Sequence, residues 1–569
     1  MADNETNLVT INIDGNEHKV PDGMNLVDAC SVAGVEVPHY CYHPKLSVAG
    51  NCRMCLVEMG MPMRDRATGE PVLDDDGVQK IGWMPKPAIA CASKAMPGLH
   101  IKTESDLTKN CREGVMEFLL VNHPLDCPIC DQAGECRLQE FATDYGRGFS
   151  RFVEEKNAKP KRTKLGPRVT LDDERCILCS RCVRFCDEID ENPVLGFTER
   201  GSHSTLTTYP GKQLDSNYSL NTVDICPVGA LTSTDFRFKM RVWFLKPTPS
   251  ICTESSAGVN TEVWSREGKI YRVTPRRNDA VNDTWMADSG RALYHQVEDE
   301  ARMLNYRVDG NKASLGEAIG RTRELMGLGK VAYVGSGQMS VEEQWMLRKL
   351  AETEPGSIHF RYHTGDGDGR LISKDKTPNL RGAFVTSLIK ELPADNLHAL
   401  HDQLESGEVT TVVAFGEDLV AGGISSELLK KVNLIYIGTN RNGSTDHAKV
   451  LIPSLTVFER SGSFINQQFR LQKFAQCVPG PAGILPTTTL LGRLIAEFKG
   501  ETPTAPSNPQ IWREISGAVT ECANIEFAKI PATGLELDGS AYTSIPFVEE
   551  KGWHFEPVAE LVGADSSPS

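Results

Sequence analysis

The spacing of the cysteines constrains the fold of this chain more than any other feature of its sequence. The chain has 569 residues and 17 cysteines, and fourteen of these cysteines lie at or before Cys226. Many form C-x2-C pairs, in which two soft thiolates can bind one metal centre from a single turn. The stretch HPLDCPICDQAGEC at 123–136 adds a histidine, and imidazole can replace a thiolate in an iron–sulfur site. The pattern predicts that the N-terminal part of the chain folds around metal centres.

Composition narrows the possible classes of function. A net charge of −15 argues against a nucleic-acid binder. The first ten residues, MADNETNLVT, lack a signal pattern, and no apolar run approaches the roughly 20 residues that span a bilayer. We therefore expect an intracellular chain without direct membrane insertion, in which close cysteine pairs bind metal rather than form disulfides. The length predicts about three to five domains.

The first cysteine group begins with a C-x10-C-x2-C pattern, and the next cysteine along the chain is its expected fourth ligand. The group comprises Cys41, Cys52, Cys55 and Cys91. A hairpin pattern at 8–20 and a short helix pattern at 25–33 precede it, which indicates a strand-rich [2Fe–2S] ferredoxin-like domain. The x10 gap departs from the plant-type C-x4-C spacing, and a structural zinc site with the same ligands is the alternative. The later motifs favour iron–sulfur chemistry. Cys30 is expected to be a buried core residue.

The middle group has the spacing H-x3-C-x2-C-x5-C. Its members are His123, Cys127, Cys130 and Cys136. An amphipathic helix predicted at 113–121 leads into it. Cys111, near the start of that helix, is the rival fourth ligand. We favour His123 because His-Pro-Leu-Asp-Cys is a tight connection, whereas Cys111 lies a helix away.

The third group contains the bacterial ferredoxin signature C-x2-C-x2-C-x3-C. It runs through Cys176, Cys179, Cys182 and Cys186. In ferredoxins the fourth cysteine of this run binds a second cluster, but no second complete run exists in this chain. Cys226, in VDICPVGAL, is the expected fourth ligand, and Cys186 is then a buried neighbour. An exchange of roles between Cys186 and Cys226 stays open.

The C-terminal half repeats a pattern of strands followed by glycine turns. The strand-like segments are KVAYV at 330–334, TTVVAFGED at 410–418 and VNLIYIGTN at 432–440. This alternation predicts a doubly wound α/β fold. The GSG after the first strand lacks the rest of a dinucleotide fingerprint, so tight strand-to-helix turns are the expected reason for the glycines. Residues 556–569 are expected to form a frayed tail.

Four motifs carry a resemblance to a known family: YCYHPKLSVAGNCRMCLVE, NHPLDCPICDQAGEC, CILCSRCVRFC and VDICPVGALT. They resemble the large iron–sulfur subunits of the peripheral arm of respiratory complex I, NADH:quinone oxidoreductase (the G subunit in bacteria). The resemblance implies one [2Fe–2S] and two [4Fe–4S] clusters. It places the [2Fe–2S] cluster on Cys41, Cys52, Cys55 and Cys91, one [4Fe–4S] cluster on His123, Cys127, Cys130 and Cys136, and the other on Cys176, Cys179, Cys182 and Cys226.

The implied fold is multidomain, with α+β and α/β parts. The expected units are a [2Fe–2S] ferredoxin-like (β-grasp) domain at 1–104, a His/Cys [4Fe–4S] module at 105–150, a [4Fe–4S] ferredoxin-like domain at 165–240 and a molybdopterin-oxidoreductase-like α/β domain at 245–555. The last rests on TPNLRGA at 377–383 and ERSGSFINQQFRLQ at 459–472. No molybdenum is expected. Some relatives hold a further cluster through a C-x2-C-x3-C run near the start of this domain. Here only Cys252 is present, so that cluster is expected to be absent.

The resemblance implies electron relay within a larger enzyme. A flavoprotein partner would hold FMN and accept hydride from NADH, and further iron–sulfur subunits would lead to quinone and to the membrane arm. The whole complex would couple this transfer to ion translocation. The chain itself would hold no catalytic residue and no substrate site. In a bacterium it would be a peripheral subunit on the cytoplasmic side of the plasma membrane.

Three other classes of protein share some of these features. An iron hydrogenase needs four clustered cysteines for its catalytic centre, but only three widely spaced cysteines follow residue 250. A molybdenum formate dehydrogenase needs a cysteine, selenocysteine or serine ligand to the metal. None is identifiable, although a serine ligand stays open. A zinc scaffold is the third class, and metal and sulfide analysis distinguishes all of them.

Overall fold

The computed structural model describes residues 7–548, so the tail predicted at 556–569 lies outside the described residues. The chain divides into two compact units on either side of the Trp243–Phe244 bond, and each is described by itself. Within residues 7–548 no helix combines the length and the apolar character needed to cross a membrane.

The first unit contains short strands and five α-helices. Its strands are β1 (Leu8–Ile13), β2 (Asn16–Pro21), β3 (Leu56–Pro62), β4 (Ile81–Trp83), β5 (Ala88–Ile89), β6 (His100–Lys102), β7 (Thr163–Lys164), β8 (Val169–Leu171), β9 (Leu195–Thr198), β10 (Thr205–Thr208) and β11 (Leu231–Ser233). Its α-helices are α1 (Leu26–Val32), α2 (Asp106–Leu120), α3 (Arg137–Tyr145), α4 (Arg181–Glu188) and α5 (Asn221–Asp224).

A mixed sheet with the strand order β2-β1-β6-β3-β4 forms the N-terminal domain, and β5 pairs with β3. β1 is antiparallel to β2 and parallel to β6. Val9, Ile11 and Ile13 alternate along β1 into the core, as period-two patterning requires. The side chain of Asn25 accepts a hydrogen bond from the Val27 amide and caps α1. The predicted hairpin and helix are therefore both present, in an arrangement that agrees with the β-grasp expectation.

Two further substructures follow in the first unit. Helix α2 starts at Asp106, earlier than the predicted 113, because the Ser105 hydroxyl accepts a hydrogen bond from the Thr108 amide and caps it there. Helix α3 begins directly after Cys136. Next, strands β11, β8 and β7 form an antiparallel sheet, and β9 and β10 form a separate hairpin.

The second unit is larger and contains one dominant sheet. Its strands are β12 (Lys246–Ile251), β13 (Asn260–Arg266), β14 (Lys269–Pro275), β15 (Arg307–Val308), β16 (Asn311–Lys312), β17 (Val331–Gly335), β18 (Gly356–Phe360), β19 (Thr411–Phe415), β20 (Asn433–Gly438), β21 (Val450–Pro453), β22 (Gly462–Ile465), β23 (Arg470–Phe474) and β24 (Leu535–Glu536). Its α-helices are α6 (Asp288–Ala292), α7 (Leu315–Met326), α8 (Val341–Thr353), α9 (Leu380–Val385), α10 (His398–Glu405), α11 (Ser426–Lys431), α12 (Thr487–Lys499) and α13 (Asn508–Ala518).

The dominant sheet has seven strands in the order β16-β15-β21-β20-β19-β17-β18, and the five from β21 to β18 are parallel. Val331 and Tyr333 of β17 enter one hydrophobic core with α7, α8, α12 and α13, whereas Ala332 and Val334 enter another with α10 and α11. Helices therefore cover both faces, which explains the continuously apolar strands. This confirms the predicted alternation of strands and helices.

The segment TPNLRGA, at 377–383, lies in the interior of the second unit. Arg381 and Asp375 form an ion pair of 2.5 Å, and both side chains are fully buried. The amide side chain of Asn379 accepts a hydrogen bond from the backbone of Ile465 in β22. The segment thus joins helix α9 to the strands behind it through polar groups that are satisfied inside the protein.

Candidate metal centres

The first cysteine group comes together in the N-terminal domain. The thiol of Cys41 forms hydrogen bonds with those of Cys52 and Cys91, and the Cys55 thiol does so with Cys91. Gly50 has a φ of +61°, which lets the loop turn directly before Cys52. The thiol hydrogen bonds lower the pKa of Cys41 and raise that of Cys91. Four thiols that are linked in a row by these contacts fit a [2Fe–2S] cluster or a zinc ion.

Cys30 lies apart from this group, in the hydrophobic core of the same domain. Burial, followed by the nearby charge of Asp14, raises the pKa of its thiol to about 12. A neutral thiol among apolar side chains has the role expected for it from the sequence.

The three cysteines of the middle group lie around one loop. A single 3-10 turn over Cys127–Ile129 presents Cys127 and Cys130, and Cys136 stands at the start of α3. Burial, with smaller contributions from the charges of Cys130 and Cys127, raises the pKa of Cys136 to about 11. The thiols are therefore close enough to interact. Ionising them in this buried environment is costly, and the positive charge of bound metal ions would offset that cost.

His123 offers an imidazole with an unsatisfied nitrogen. Its Nδ1 atom is buried and has no hydrogen-bond partner among the described residues. Burial lowers the pKa of His123 to about 4, against an opposing effect of Asp126. The ring is therefore neutral at pH 7, which is the state that binds a metal. Cys111, the rival ligand, lies in α2 and is partly exposed.

Alanine substitutions separate the two candidates for the fourth ligand. If the middle group holds a [4Fe–4S] cluster, we expect His123→Ala to remove its EPR signal, because three thiols alone leave one iron without a protein ligand. Cys111→Ala should keep that signal. Loss of the signal in the Cys111 variant, together with its retention in the His123 variant, would assign the ligand to Cys111.

The third group lines a small cavity of about 20 Å³, whose walls include Cys176, Cys179, Cys182 and Cys226. Leu178 and Ser180 adopt left-handed conformations with φ of 55° and 60°, a strained geometry that folds the loop around this space. The Leu178 amide donates a hydrogen bond to the Cys176 sulfur at 3.4 Å. Burial raises the pKa values of all four thiols.

Cys186 is not one of the residues that line this space. It is fully buried on α4, where burial and the charge of Asp190 raise the pKa of its thiol to about 12. The geometry therefore favours Cys226 as the fourth member of the third group.

The third group contacts both of the others. A Cβ atom at Gly229, three residues after Cys226, would lie 2.2 Å from the Cys130 sulfur of the middle group. On the other side, the guanidinium of Arg184 donates hydrogen bonds to the carbonyl oxygens of Cys41 at 2.5 Å and Cys179 at 3.4 Å. The group that is last in sequence is thus packed against the first and the middle groups.

A buried ion network connects the residues that precede two of the ligands. Arg175 contacts Asp126 at 2.6 Å and Asp172 at 2.8 Å, and Arg237 contacts Asp172 at 2.7 Å. Sequence reasoning missed this network, the contacts of Arg184 and the approach of Gly229 to Cys130 of the middle group. The sequence offered one signal for the ion network, because Asp126 and Arg175 directly precede the cysteines Cys127 and Cys176.

Cys252 lies in the second unit and lines a very small cavity, of about 10 Å³, together with Glu254 and Met286. A Cβ atom at Gly290 would lie 2.7 Å from its sulfur. Burial raises the pKa of Cys252 to about 12. It is the only cysteine between residues 245 and 295, so this region offers one thiol rather than the set that a cubane cluster requires.

Four family models match successive parts of the chain. Their descriptions are "2Fe-2S iron-sulfur cluster binding domain" at residues 6–80, "NADH-ubiquinone oxidoreductase-G iron-sulfur binding region" at 112–151, "NADH-quinone oxidoreductase subunit 3, ferredoxin-like domain" at 166–232 and "NADH-ubiquinone oxidoreductase NDSU1/NuoG-like, 4Fe-4S domain" at 245–295. The second match begins after Cys111 and includes His123.

Several curated proteins are similar in sequence. The G subunit of the NADH-quinone oxidoreductase of Rickettsia felis is 40% identical over 351 residues, which cover 61% of this chain and 49% of that protein. The mitochondrial NADH dehydrogenase [ubiquinone] iron-sulfur protein 1 of Solanum tuberosum is 45% identical over 291 residues, covering 51% of this chain and 36% of that protein. A chain of an NAD+-reducing [NiFe]-hydrogenase has 27% identity and a TM-score of 0.34, covering 41% of this chain and 91% of that chain.

The matches span about half the length of these curated relatives, or less. The family models include all the iron–sulfur motifs from which the resemblance was inferred. Together with the curated relatives, they confirm that resemblance. The chain is therefore a homologue of the NADH-quinone oxidoreductase G subunits and of their mitochondrial counterparts.

Proposed function

We propose that this chain is an electron-relay iron–sulfur subunit in the peripheral arm of an NADH:quinone oxidoreductase. One observation carries the proposal: three groups of metal-binding side chains lie in one compact unit, and the third contacts the other two through Arg184 and Gly229. Iron–sulfur clusters, when bound, supply sites that accept and release single electrons. A row of such sites joins a two-electron donor to a distant acceptor.

We further propose the ligand sets that follow from the motifs. Cys41, Cys52, Cys55 and Cys91 would hold a [2Fe–2S] cluster, and the other two sets would each hold a [4Fe–4S] cluster, namely His123, Cys127, Cys130 and Cys136, and Cys176, Cys179, Cys182 and Cys226. The thiol contacts in the first group, the unsatisfied Nδ1 of His123 and the space enclosed by the third group support these sets.

The protein's own residues bury many of the proposed ligands and place charge beside them, although Cys127 is exposed. Cys41, Cys55, Cys91, Cys179 and Cys182 are all less than a tenth exposed. The network of Arg175 with Asp126 and Asp172 fixes the position of two ligand loops. Such burial and neighbouring charge set reduction potentials.

The wider assembly is also part of the proposal. An FMN-containing, NADH-binding subunit would donate electrons, and other peripheral iron–sulfur subunits would carry them toward quinone and the membrane arm, whose ion translocation they drive. The second unit would be a molybdopterin-oxidoreductase-like domain without molybdenum. In a bacterium the chain would lie at the cytoplasmic side of the plasma membrane.

Metal and sulfide analysis of the anaerobically purified chain tests this function. We expect about 10 irons per chain with matching acid-labile sulfide, and three EPR signals on reduction. Iron near 14 would instead show a further [4Fe–4S] cluster at Cys252. Zinc without labile sulfide, or one molybdenum per chain, would contradict the relay function.

A further inference from the structure

Arg184 joins the backbones of two different ligand groups. It lies on α4, two residues after Cys182. Its Nη2 atom donates hydrogen bonds to the carbonyl oxygens of Cys41 and Cys179, at 2.5 and 3.4 Å, and its Nη1 atom donates to the carbonyl oxygen of Ser47. The planar fork of an arginine can hold several acceptors in this way, whereas lysine cannot.

The same face of α4 also contacts the backbone of the chain just after Cys41. Arg181, one turn before Arg184, donates to the carbonyl oxygens of Tyr42 and Ile225. Glu188, one turn after it, accepts a hydrogen bond of 2.8 Å from the Ser47 amide. These positions are three and four residues from Arg184, so their side chains share one helix face. The position of the guanidinium is therefore fixed from both sides.

Two arginines three residues apart on a partly buried face repel each other. In this structure both point at backbone carbonyl groups of the ligand loops rather than at carboxylates. A thiolate-ligated cluster on either side supplies negative charge that offsets this repulsion. Because reduction adds one electron to a cluster, a fixed positive charge nearby favours its reduced form.

We propose that the fixed positive charge of Arg184 raises the reduction potentials of the first-group and third-group clusters together. The inference rests on the proposed function, because it requires iron–sulfur clusters in both groups. The carbonyl contacts to Cys41 and Cys179 place one charge beside both sites. One side chain therefore keeps the two potentials in step, so that neither cluster becomes a trap for the electron.

Redox titration of the assembled holo-complex, followed by EPR, tests the proposal. In Arg184→Gln we expect the equilibrium constant for one-electron reduction to fall roughly tenfold for each of the two clusters. This corresponds to a reduction potential that is lower by about 59 mV. The middle cluster should keep its potential. Arg184→Lys, which retains the charge but not the fork, should leave both potentials close to those of the original protein.

Arg168→Gln is the matched control. Arg168 belongs to the same ferredoxin-like domain and also donates to two backbone carbonyl groups, those of Asp215 at 3.2 Å and Ser216 at 3.3 Å, but neither residue is a ligand. Its substitution should move no potential. An equal shift in this control, or unchanged potentials in a fully loaded Arg184→Gln protein, would overturn the proposal.

If the Arg184→Gln protein fails to assemble, the Arg184→Lys protein tests the proposal in its place. A lysine variant with both potentials lowered tenfold would show that the charge is not the cause and would also overturn the proposal. Absence of the two cluster signals from the unsubstituted protein is a different result, because it contradicts the proposed function itself.

Discussion

Replacing Gly229 with alanine will remove the middle cluster. The new Cβ atom would lie 2.2 Å from the Cys130 sulfur and 3.1 Å from the Cβ of Gln132, and both contacts are shorter than van der Waals contact. Gly229 is buried between two ligand loops, so a close-packed interior gives the methyl group no space. The Cys130 thiol must move, and it then no longer holds the cluster proposed for the middle group.

Iron analysis and EPR measure this effect. We expect about four of about ten irons to be lost, together with the signal of the middle cluster. Gly114→Ala is the control, because a Cβ atom at this position in α2 meets no atom within 4 Å, and alanine is favoured over glycine in a helix by about 1 kcal/mol. Full iron content and three unchanged signals in the Gly229 variant would contradict the prediction.

Replacing Arg381 with methionine will strongly destabilise the second unit. Arg381 and Asp375 are both fully buried and form an ion pair of 2.5 Å. Removal of one partner of a buried pair leaves an uncompensated charge, and the usual cost is about 3–5 kcal/mol of unfolding free energy. Amide hydrogen exchange in β17 and β19 measures this change, because the core strands of a unit exchange through its global opening.

The pH dependence of this variant has a definite sign. Burial already raises the pKa of Asp375 above its ordinary value of 3.8, and Arg381 opposes the increase. Without Arg381 the folded-state pKa rises further, so the folded state binds the proton more tightly than the unfolded state. The loss of stability is therefore largest at neutral pH and shrinks as the pH falls through the folded-state pKa toward 3.8.

Two comparisons check the assignment to the buried pair. Lys330→Met removes an exposed ion pair with Glu408. The side chain of Lys330 is 71% exposed and that of Glu408 is 48% exposed, so the loss of unfolding free energy should be less than about 1 kcal/mol. The double variant Arg381→Met with Asp375→Asn should recover part of the lost stability, because no charge stays buried. Equal stabilities of the Arg381 and Lys330 variants would exclude the ion pair as the cause.

The sequence predicted the parts of the fold that local chemistry determines. The hairpin at β1 and β2 follows from the Asp14-Gly15 turn pair, and α1 begins where Asn25 caps it. The parallel strands follow from their continuous apolar runs. The start of α2 was misplaced, because apolar periodicity detects the buried stripe of a helix and not its cap at Ser105.

The candidate sites were predicted as groups but not in their arrangement. Cysteine spacing is local information, and the C-x2-C pairs identify which thiols share a turn. The packing of Gly229 against Cys130 and the contact of Arg184 with Cys41 join residues far apart in sequence, and spacing contains no signal for them. The residue types of Gly229 and Arg184 did not indicate these contacts either, because glycine is common in loops and arginine is common on helices.

The contact between Arg184 and Cys41 has a consequence for biosynthesis. The two residues are 143 positions apart in the chain. At ordinary translation rates, the ribosome needs roughly 7–30 seconds to make that length. During this interval the loop around Cys41 and Cys52 is a nascent surface that α4 does not yet cover. The first group of thiols can thus be reached from this side until the rest of the unit closes over it.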